Sequence, residues 1–311
     1  MASRALNHVV IAGGSGLVGR HLVQALLGEG ARVTVLSRSR PGPGAVETRG
    51  WDDLPGALEG ADALINLCGE GIAGGRWTPA RRQALQESRT GPTGRLVTAL
   101  GLVARRPPVL VNASAVGIYG PLDSRPVAED HPTGAGFLAE LCRQWEAAAD
   151  GAASHQVRVV KLRLGVVLAR DGGALPRMAL PVKLWAGTRL GDGQQGLSWI
   201  HVDDLVRLIL AAAADPAYAG AVNATAPAPL SNAAFTRALA RHLGRPLWPV
   251  PAALTRLALK ALLGEMGVAM LLEGAFVHPR EAERLGFAFR FPRLEEALAD
   301  LVGGDHRKVQ R

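Results

Sequence analysis

A doubly wound α/β fold, with a parallel sheet between helices and a smaller, mostly helical C-terminal region, is what the sequence predicts. Three observations carry the prediction. Short apolar runs of strand character alternate with segments of helical spacing from residue 8 onward, and parallel strands need such crossover segments between them. The chain of 311 residues is 48% hydrophobic yet only 5% aromatic, and its 38 Gly and 20 Pro divide it by many short loops, as in a layered α/β protein. From about Asn232 the alternation stops and helical spacing takes over, apart from a short stretch at 287–291.

The elements follow in order. Residues 8–13 form an apolar strand, and 17–27 a helix through Leu22, Leu26 and Leu27 that Gly28 and Gly30 end. Residues 32–37 (RVTVLS) are a second strand, followed by a Pro/Gly-rich loop at 41–44, and 63–67 are a third strand. Thr78 as N-cap and Pro79 at the first helical position start a helix. Gly91-Pro92 breaks that pattern, so a separate helix is expected from about Pro92 to Ala104. A strand at 109–113 leads into a loop to about Gly136, a helix to about Ala149 and a strand at 157–164. Asp203 and Asp204 are expected to cap a helix running through Ala214. The expected organisation is a sheet domain over 1–230 with substrate-region insertions after 165, a small helical domain over 231–303, and a disordered tail over 304–311.

Composition excludes several function classes. The formal net charge is +8, which raises the question of nucleic acid. The basic residues are nearly all arginines, scattered along the chain, and no run of them alternates with aromatics. A solvated basic surface is therefore expected and nucleic acid is not. Two cysteines, Cys68 and Cys142, are too few for a disulfide framework or a zinc site, and no metal is expected. No charged segment followed by an apolar stretch opens the chain, and the longest apolar runs, such as 205–214, are short and interrupted by Arg207. A cytoplasmic protein with no membrane partner is the expectation.

The first strand runs into Gly13, Gly14, Ser15, Gly16, Leu17, Val18 and Gly19, and a helix follows at once. Glycines at three-residue intervals between a strand and a helix have a physical reason in a Rossmann dinucleotide site. The first permits the tight turn, the second lets backbone N–H groups approach a pyrophosphate, and the third lets the helix pack on the sheet. The second strand ends in Ser37-Arg38, with Arg40 just beyond and no acid between Arg32 and Ala45. An NAD-selective site places a carboxylate there for the ribose hydroxyls, whereas a guanidinium clamps a 2′-phosphate. NADP(H) is preferred over NAD(H). The third strand ends in Asn66-Leu67-Cys68, beside the crevice where open α/β sheets bind ligands, and Cys68 reads as a small packing residue near the adenosine.

With these motifs the chain resembles an extended short-chain dehydrogenase/reductase of the NAD(P)-dependent epimerase/dehydratase superfamily, and more closely its atypical branch of epimerase family proteins. The resemblance runs through AGGSGLVG at 12–19, SR at 37–38, NLCGE at 66–70, RW at 76–77, SR at 88–89, NASA at 112–115 and YG at 119–120. It continues through WE at 145–146, LRLG at 162–165, GG at 172–173, SWIHVDD at 198–204 and NATAP at 223–227. It implies that Ser37 and Arg38 hold the adenosine 2′-phosphate, that Leu67 and Cys68 line the adenosine side, and that Arg89 approaches the cofactor from the following helix. It also implies a small C-terminal domain of unknown function.

Active members of the superfamily, by the same resemblance, use a Tyr with a Lys four residues later, the Lys and the cofactor ribose lowering the Tyr pKa for proton transfer. Here Asp123 stands four residues after Tyr119 and Val222 four after Tyr218, and the helix that should carry the pair offers Phe137, Leu138, Leu141 and Cys142. The remaining candidates are Ser114 just past a strand end, Tyr119 as the nearby phenol, and Glu140 as an acid on that helix. Arg163 is a candidate to pair a substrate carboxylate or phosphate, or else to hold the domain interface, and His201 reads as a hydrogen-bonded structural histidine. These readings describe an NADP(H)-binding epimerase/dehydratase-like oxidoreductase of small molecules that lacks the Tyr-x-x-x-Lys pair. The alternative is a non-catalytic NADP(H) sensor whose occupancy changes an interaction surface.

Overall fold

In the computed structural model the strands are, in chain order, β1 (His8–Ala12), β2 (Arg32–Leu36), β3 (Glu47–Arg49), β4 (Ala63–Asn66), β5 (Val109–Ala115), β6 (Arg158–Leu164), β7 (Val166–Leu168), β8 (Gly196–Leu197), β9 (Trp199–His201), β10 (Gly220–Ala224) and β11 (Leu230–Ser231). The helices are α1 (Leu17–Gly28), α2 (Leu54–Leu58), α3 (Pro79–Leu100), α4 (Phe137–Asp150), α5 (Ala174–Lys183), α6 (Val202–Ala214), α7 (Asn232–Leu243), α8 (Ala252–Leu263), α9 (Glu265–Leu271), α10 (Arg280–Arg284) and α11 (Leu294–Val302). The structure describes residues 4–38 and 46–303, so Arg40 and the tail expected over 304–311 lie outside the described residues.

Seven parallel strands form the central sheet in the order β10-β6-β5-β4-β1-β2-β3. Successive strand side chains point to opposite faces, and in β1, β4 and β5 both faces are covered, which is why β1, β4 and the start of β5 read as apolar runs and why Asn66, Asn112 and Ser114 towards their ends are buried. Val9, Ile11 and Ile65 pack on one face with Leu22 and Leu26 of α1 and Leu205 and Ile209 of α6. Val10, Leu64 and Leu110 pack on the other with Leu58 of α2 and Leu96 and Leu100 of α3. The strand order reverses at β1, which has β2 on one side and β4 on the other, so a crevice opens outside the carboxyl ends of β1 and β4.

Two local expectations are corrected. Pro92 does not divide the third helix, and α3 runs unbroken through it. The proline forfeits one backbone hydrogen bond, while Leu85, Arg89, Thr93, Leu96 and Leu100 keep one continuous buried face. The cap of α6 is His201, whose Nδ1 accepts the Asp203 N–H at 3.1 Å. Asp204 is buried and accepts the backbone N–H groups of Arg290 and Phe291 at 2.8 and 2.9 Å, tying α6 to the C-terminal region. The edge strand β10, the short β3 and helix α5 have no counterpart among the sequence-based elements.

The helices after β11 pack beside the sheet rather than apart from it. Phe235 and Leu239 of α7 and Leu298 of α11 share a cluster with Leu175 of α5 and Trp199, and Ser198 Oγ donates to the Ala275 carbonyl and accepts the Val277 N–H, both at 2.8 Å.

Gly19 is where the turn between β1 and α1 is tightest, because a Cβ there would stand 2.4 Å from the Gly13 carbonyl oxygen. Gly28, at the end of the same helix, has nothing within 4 Å of its Cβ position. Gly19→Ala should lower the unfolding free energy by about 1–3 kcal/mol in urea titrations, while Gly28→Ala should be neutral or stabilising by up to about 1 kcal/mol. Equal effects of the two substitutions would refute the close-approach argument.

Candidate functional site

The crevice is built on backbone. Gly13 has φ +85°, in the left-handed region, and accepts the Gly16 N–H at 3.1 Å, closing the turn. A Cβ on Gly13 would stand 2.8 Å from the Leu67 carbonyl carbon, so the turn also lies directly on the end of β4. Gly14 packs on Val35 of β2. The N-cap of α1 is Gly16, with no side-chain cap and no acid in the first turn, so the positive end of the helix dipole is left to a ligand. Ser15 is exposed, and Leu17 and Val18 are partly buried at the start of that turn. Leu17 also meets the loop before α5: a Cβ on Gly173 would stand 2.8 Å from its Cδ2, and Asp171 pairs with His21 at 3.0 Å.

The far side of the crevice forms beside β2 and β4. Ser37 donates its N–H to the Arg49 carbonyl at 2.9 Å, and Arg38 is exposed at the carboxyl end of β2. Asn66 is fully buried; its amide donates to Asn112 Oδ1 at 2.7 Å and Thr93 Oγ1 at 2.8 Å, while its Oδ1 receives the Cys68 N–H at 3.1 Å. Asn66 thus shapes the Leu67-Cys68 bend rather than presenting its own amide. Burial pushes the Cys68 thiol up to about 11, against a smaller opposing effect of nearby Arg38, so Cys68 packs as a neutral thiol.

Arg89 lies beneath the loop after β4. It is buried, donating to the Leu85 and Glu70 carbonyls at 2.9 and 3.0 Å and to Ser88 Oγ at 3.2 Å, with its guanidinium carbon 5.2 Å from the centre of the Trp145 ring. None of these partners is a carboxylate; the Glu70 side chain pairs with Arg81 instead.

The sequence-predicted reactive residues meet in one buried network. Ser114 ends β5 and donates its hydroxyl proton to Glu146 Oε1 of α4 at 2.7 Å. Arg163 of β6 holds both Glu146 oxygens, Nε to Oε1 at 2.9 Å and Nη2 to Oε2 at 3.0 Å. Its Nη1 donates to the Tyr119 hydroxyl at 2.9 Å and the Glu129 carbonyl at 3.2 Å, and Tyr119 donates on to Asn223 Oδ1 of β10 at 2.7 Å. Burial raises the Tyr119 pKa against the opposing pull of Arg163, so its phenol stays protonated. Arg163 therefore spends its donors inside the protein, and Glu140 stands apart on the exposed side of α4, paired with Arg143. His201 is buried, with Nε2 3.2 Å from Asp300 and its ring stacked on Phe291.

Glu146 and Asn223 were marked in the sequence only as parts of recurring strings, with no role. A buried acid one helix away has no sequence signal of its own, and its partner Arg163 is one of three cations in β6, beside Arg158 and Lys161. Where a Tyr/Lys pair was looked for, Phe137, Leu138 and Leu141 sit in an apolar cluster with Trp77 and with Met266 of α9, and Cys142 packs near Ile118 and Val277.

Arg163→Met would leave Glu146 buried without its countercharge and should cost about 3–5 kcal/mol of stability. The double variant with Glu146→Gln should cost less than the sum of the single ones. Additive losses in denaturant titrations would show that the two residues act independently.

Comparison with known proteins agrees with this architecture. Residues 9–224 match the model of the NAD dependent epimerase/dehydratase family, and 254–301 match a domain of unknown function, DUF1731. A chloroplastic epimerase family protein SDR39U1 homolog of Arabidopsis thaliana is 40% identical over 94% of this chain and 86% of its own length. An epimerase family protein of Mycobacterium bovis is 42% identical over 93% of this chain and 96% of its own. The crystal structure of human epimerase family protein SDR39U1 with NADPH superposes with a TM-score of 0.86 at 34% identity, covering 96% of this chain and 99% of that one. The glycine turn, the parallel sheet and these relatives together place the chain in the NAD dependent epimerase/dehydratase family.

Proposed function

We propose that the protein binds NADP(H) in the crevice at the carboxyl ends of β1 and β4 and acts as an oxidoreductase of the epimerase/dehydratase type on a small molecule. The observation that carries the reading is the uncapped α1 N-terminus behind a glycine turn that any Cβ would fill, with the exposed Arg38 at the end of β2. These residues fit a dinucleotide: the turn of Gly13, Gly14, Ser15, Gly16, Leu17, Val18 and Gly19 takes the pyrophosphate, and Ser37 and Arg38 take the 2′-phosphate. Asn66 shapes the Leu67-Cys68 wall of the adenosine side, and Arg89 faces the cofactor from below the loop after β4. The human relative that carries NADPH in its crystal structure supports this reading.

Bound NADP(H) supplies or takes the hydride. This chain lacks a Tyr-x-x-x-Lys pair, so its own proton path starts at Ser114, whose proton already points to Glu146. In the oxidising direction the substrate hydroxyl gives its proton to Ser114 Oγ while Ser114 passes its own to Glu146, and the reverse transfers accompany reduction. Arg163 and Tyr119 hold this path in place: Arg163 orients Glu146, and Tyr119 braces Arg163 against Asn223.

A second reading, a non-catalytic NADP(H) sensor, draws on one observation: the hydroxyls of Ser114 and Tyr119 are both donated to internal acceptors. A panel of carbonyl compounds and alcohols separates the two. Turnover lost in Ser114→Ala with NADPH affinity intact supports the enzyme, and tight binding without turnover across the panel supports the sensor.

Titration with NADPH and NADH, by calorimetry, tests the cofactor. An Arg–phosphate contact contributes about 1.5–3 kcal/mol, so Arg38→Ala should weaken NADPH binding by about tenfold or more and leave NADH unchanged. Failure of the wild type to bind either dinucleotide would end the reading.

A further inference from the structure

Helix α8 is apolar apart from Thr255, Arg256 and Lys260, and most of it is uncovered. Nine of its twelve residues are Ala or Leu, yet Thr255 is the one residue of the helix that is buried. A helix that is hydrophobic all round belongs in a protein core or in lipid, and Leu257 and Leu262 are instead 65% and 73% exposed. The helix is held by Thr255 Oγ1, which accepts the Gly191 N–H at 3.0 Å, by Arg76, which donates to the Ala261 and Leu262 carbonyls, and at its end by Leu263, which packs beside Met266 of α9.

The apolar exposure continues on the neighbouring segments. Trp185 and Trp248 are 53% and 56% exposed and adjoin each other, the Trp248 indole N–H donating to the Trp185 carbonyl at 2.7 Å. Leu180 and Leu184, one turn apart, are exposed beside them. Of the nine exposed large hydrophobic residues of the described chain, seven fall in these two segments. Such clustering marks an interaction surface rather than scattered surface leucines.

Charge selects the partner. Residues 177–191 and 241–263, which carry the patch, contain seven Lys or Arg and no Asp or Glu. The Arg245 guanidinium stands 4.4 Å above the centre of the Trp185 ring, and Arg256 and Lys260 stand one turn apart on α8. A second copy of the chain docking by this same face would bring like charges together. Aromatic and leucine side chains among cations, with no acid, are the composition by which amphipathic helices lie in the headgroup region of an acidic bilayer. No helix among the described residues is long and apolar enough to cross a membrane, and the expectation of no membrane partner rested on the opening segment and the short apolar runs, not on surface docking.

We propose that α8, with the Trp185–Trp248 ledge beside it, is a docking surface for an anionic lipid bilayer, on which the helix lies flat. The site is independent of the cofactor crevice and does not rest on the function proposed above.

The test is co-sedimentation of the full chain with vesicles of phosphatidylcholine alone and of phosphatidylcholine mixed with phosphatidylglycerol, at low and high salt, with tryptophan emission recorded in parallel. The wild type should sediment with the mixed vesicles at low salt, shift its emission to the blue, and release at high salt. Leu254→Glu combined with Leu257→Glu should reduce partitioning by about tenfold or more, and Arg256→Gln combined with Lys260→Gln by a similar factor, at unchanged melting temperature because all four positions are already exposed. Absence of wild-type binding to the mixed vesicles, or binding that both double variants retain, overturns the proposal. A wild-type dimer in sedimentation velocity that the glutamate variant dissolves also overturns it, because a second copy is then the occupant.

Discussion

The Glu146–Arg163 pair is the interaction on which the interior around the crevice depends. Both residues are buried, and a buried ion pair is stabilising only when its geometry is good and its remaining lone pairs and protons are satisfied. Here the carboxylate receives two guanidinium nitrogens and the Ser114 hydroxyl, and the third guanidinium nitrogen reaches Tyr119 and the Glu129 backbone. One charge pair therefore fixes the carboxyl ends of β5 and β6, helix α4 and, through Tyr119 and Asn223, the edge strand β10. Because Asn223 also donates to the His278 carbonyl at 3.0 Å, the C-terminal region is positioned by the same network.

The two buried arginines beside the crevice differ in this respect. Arg163 is neutralised by a carboxylate in two-point contact, and its role is to hold protein to protein. Arg89 is nearly as buried but has only carbonyls, a hydroxyl and the face of Trp145, so its charge is met by dipoles and a ring face rather than by a carboxylate. Burial lowers its pKa, the direction that follows when a cation is desolvated without an anion beside it.

What was legible in the sequence is what depends on local backbone rules. The β1–α1 turn needs Gly19 because of its close approach to Gly13 within the turn, although Gly13 and Gly14 also meet the distant Leu67 and Val35, and β1, β4 and the start of β5 are apolar runs because both sheet faces are covered. What was not legible depends on distant partners. Pro92 reads as a break until the buried face of α3 is seen to outweigh one lost hydrogen bond. Asp203-Asp204 reads as a cap, but Asp204 is claimed by the backbone of Arg290 and Phe291, more than eighty positions away, and His201 takes the cap. Ser114, Tyr119 and Arg163 were singled out separately; that they share one network became visible only through Glu146 and Asn223.

The electrostatics of the crevice follow from which acids are covered. Glu47, on the strand beside β2, is bound by Arg32 and Arg49, and these hydrogen bonds hold its carboxyl down to about 2. Glu70 is taken by Arg81 and Glu146 by Arg163. Each of these three carboxylates thus has a guanidinium partner, and among the described residues Arg38 is an exposed cation at the end of β2. With the α1 dipole uncapped as well, the local field is positive although acids stand close by in the sequence. That charge balance depends on pairing at the sheet edge: with Arg49 removed Glu47 would still be held by Arg32, and only the loss of both arginines would leave its carboxylate uncovered.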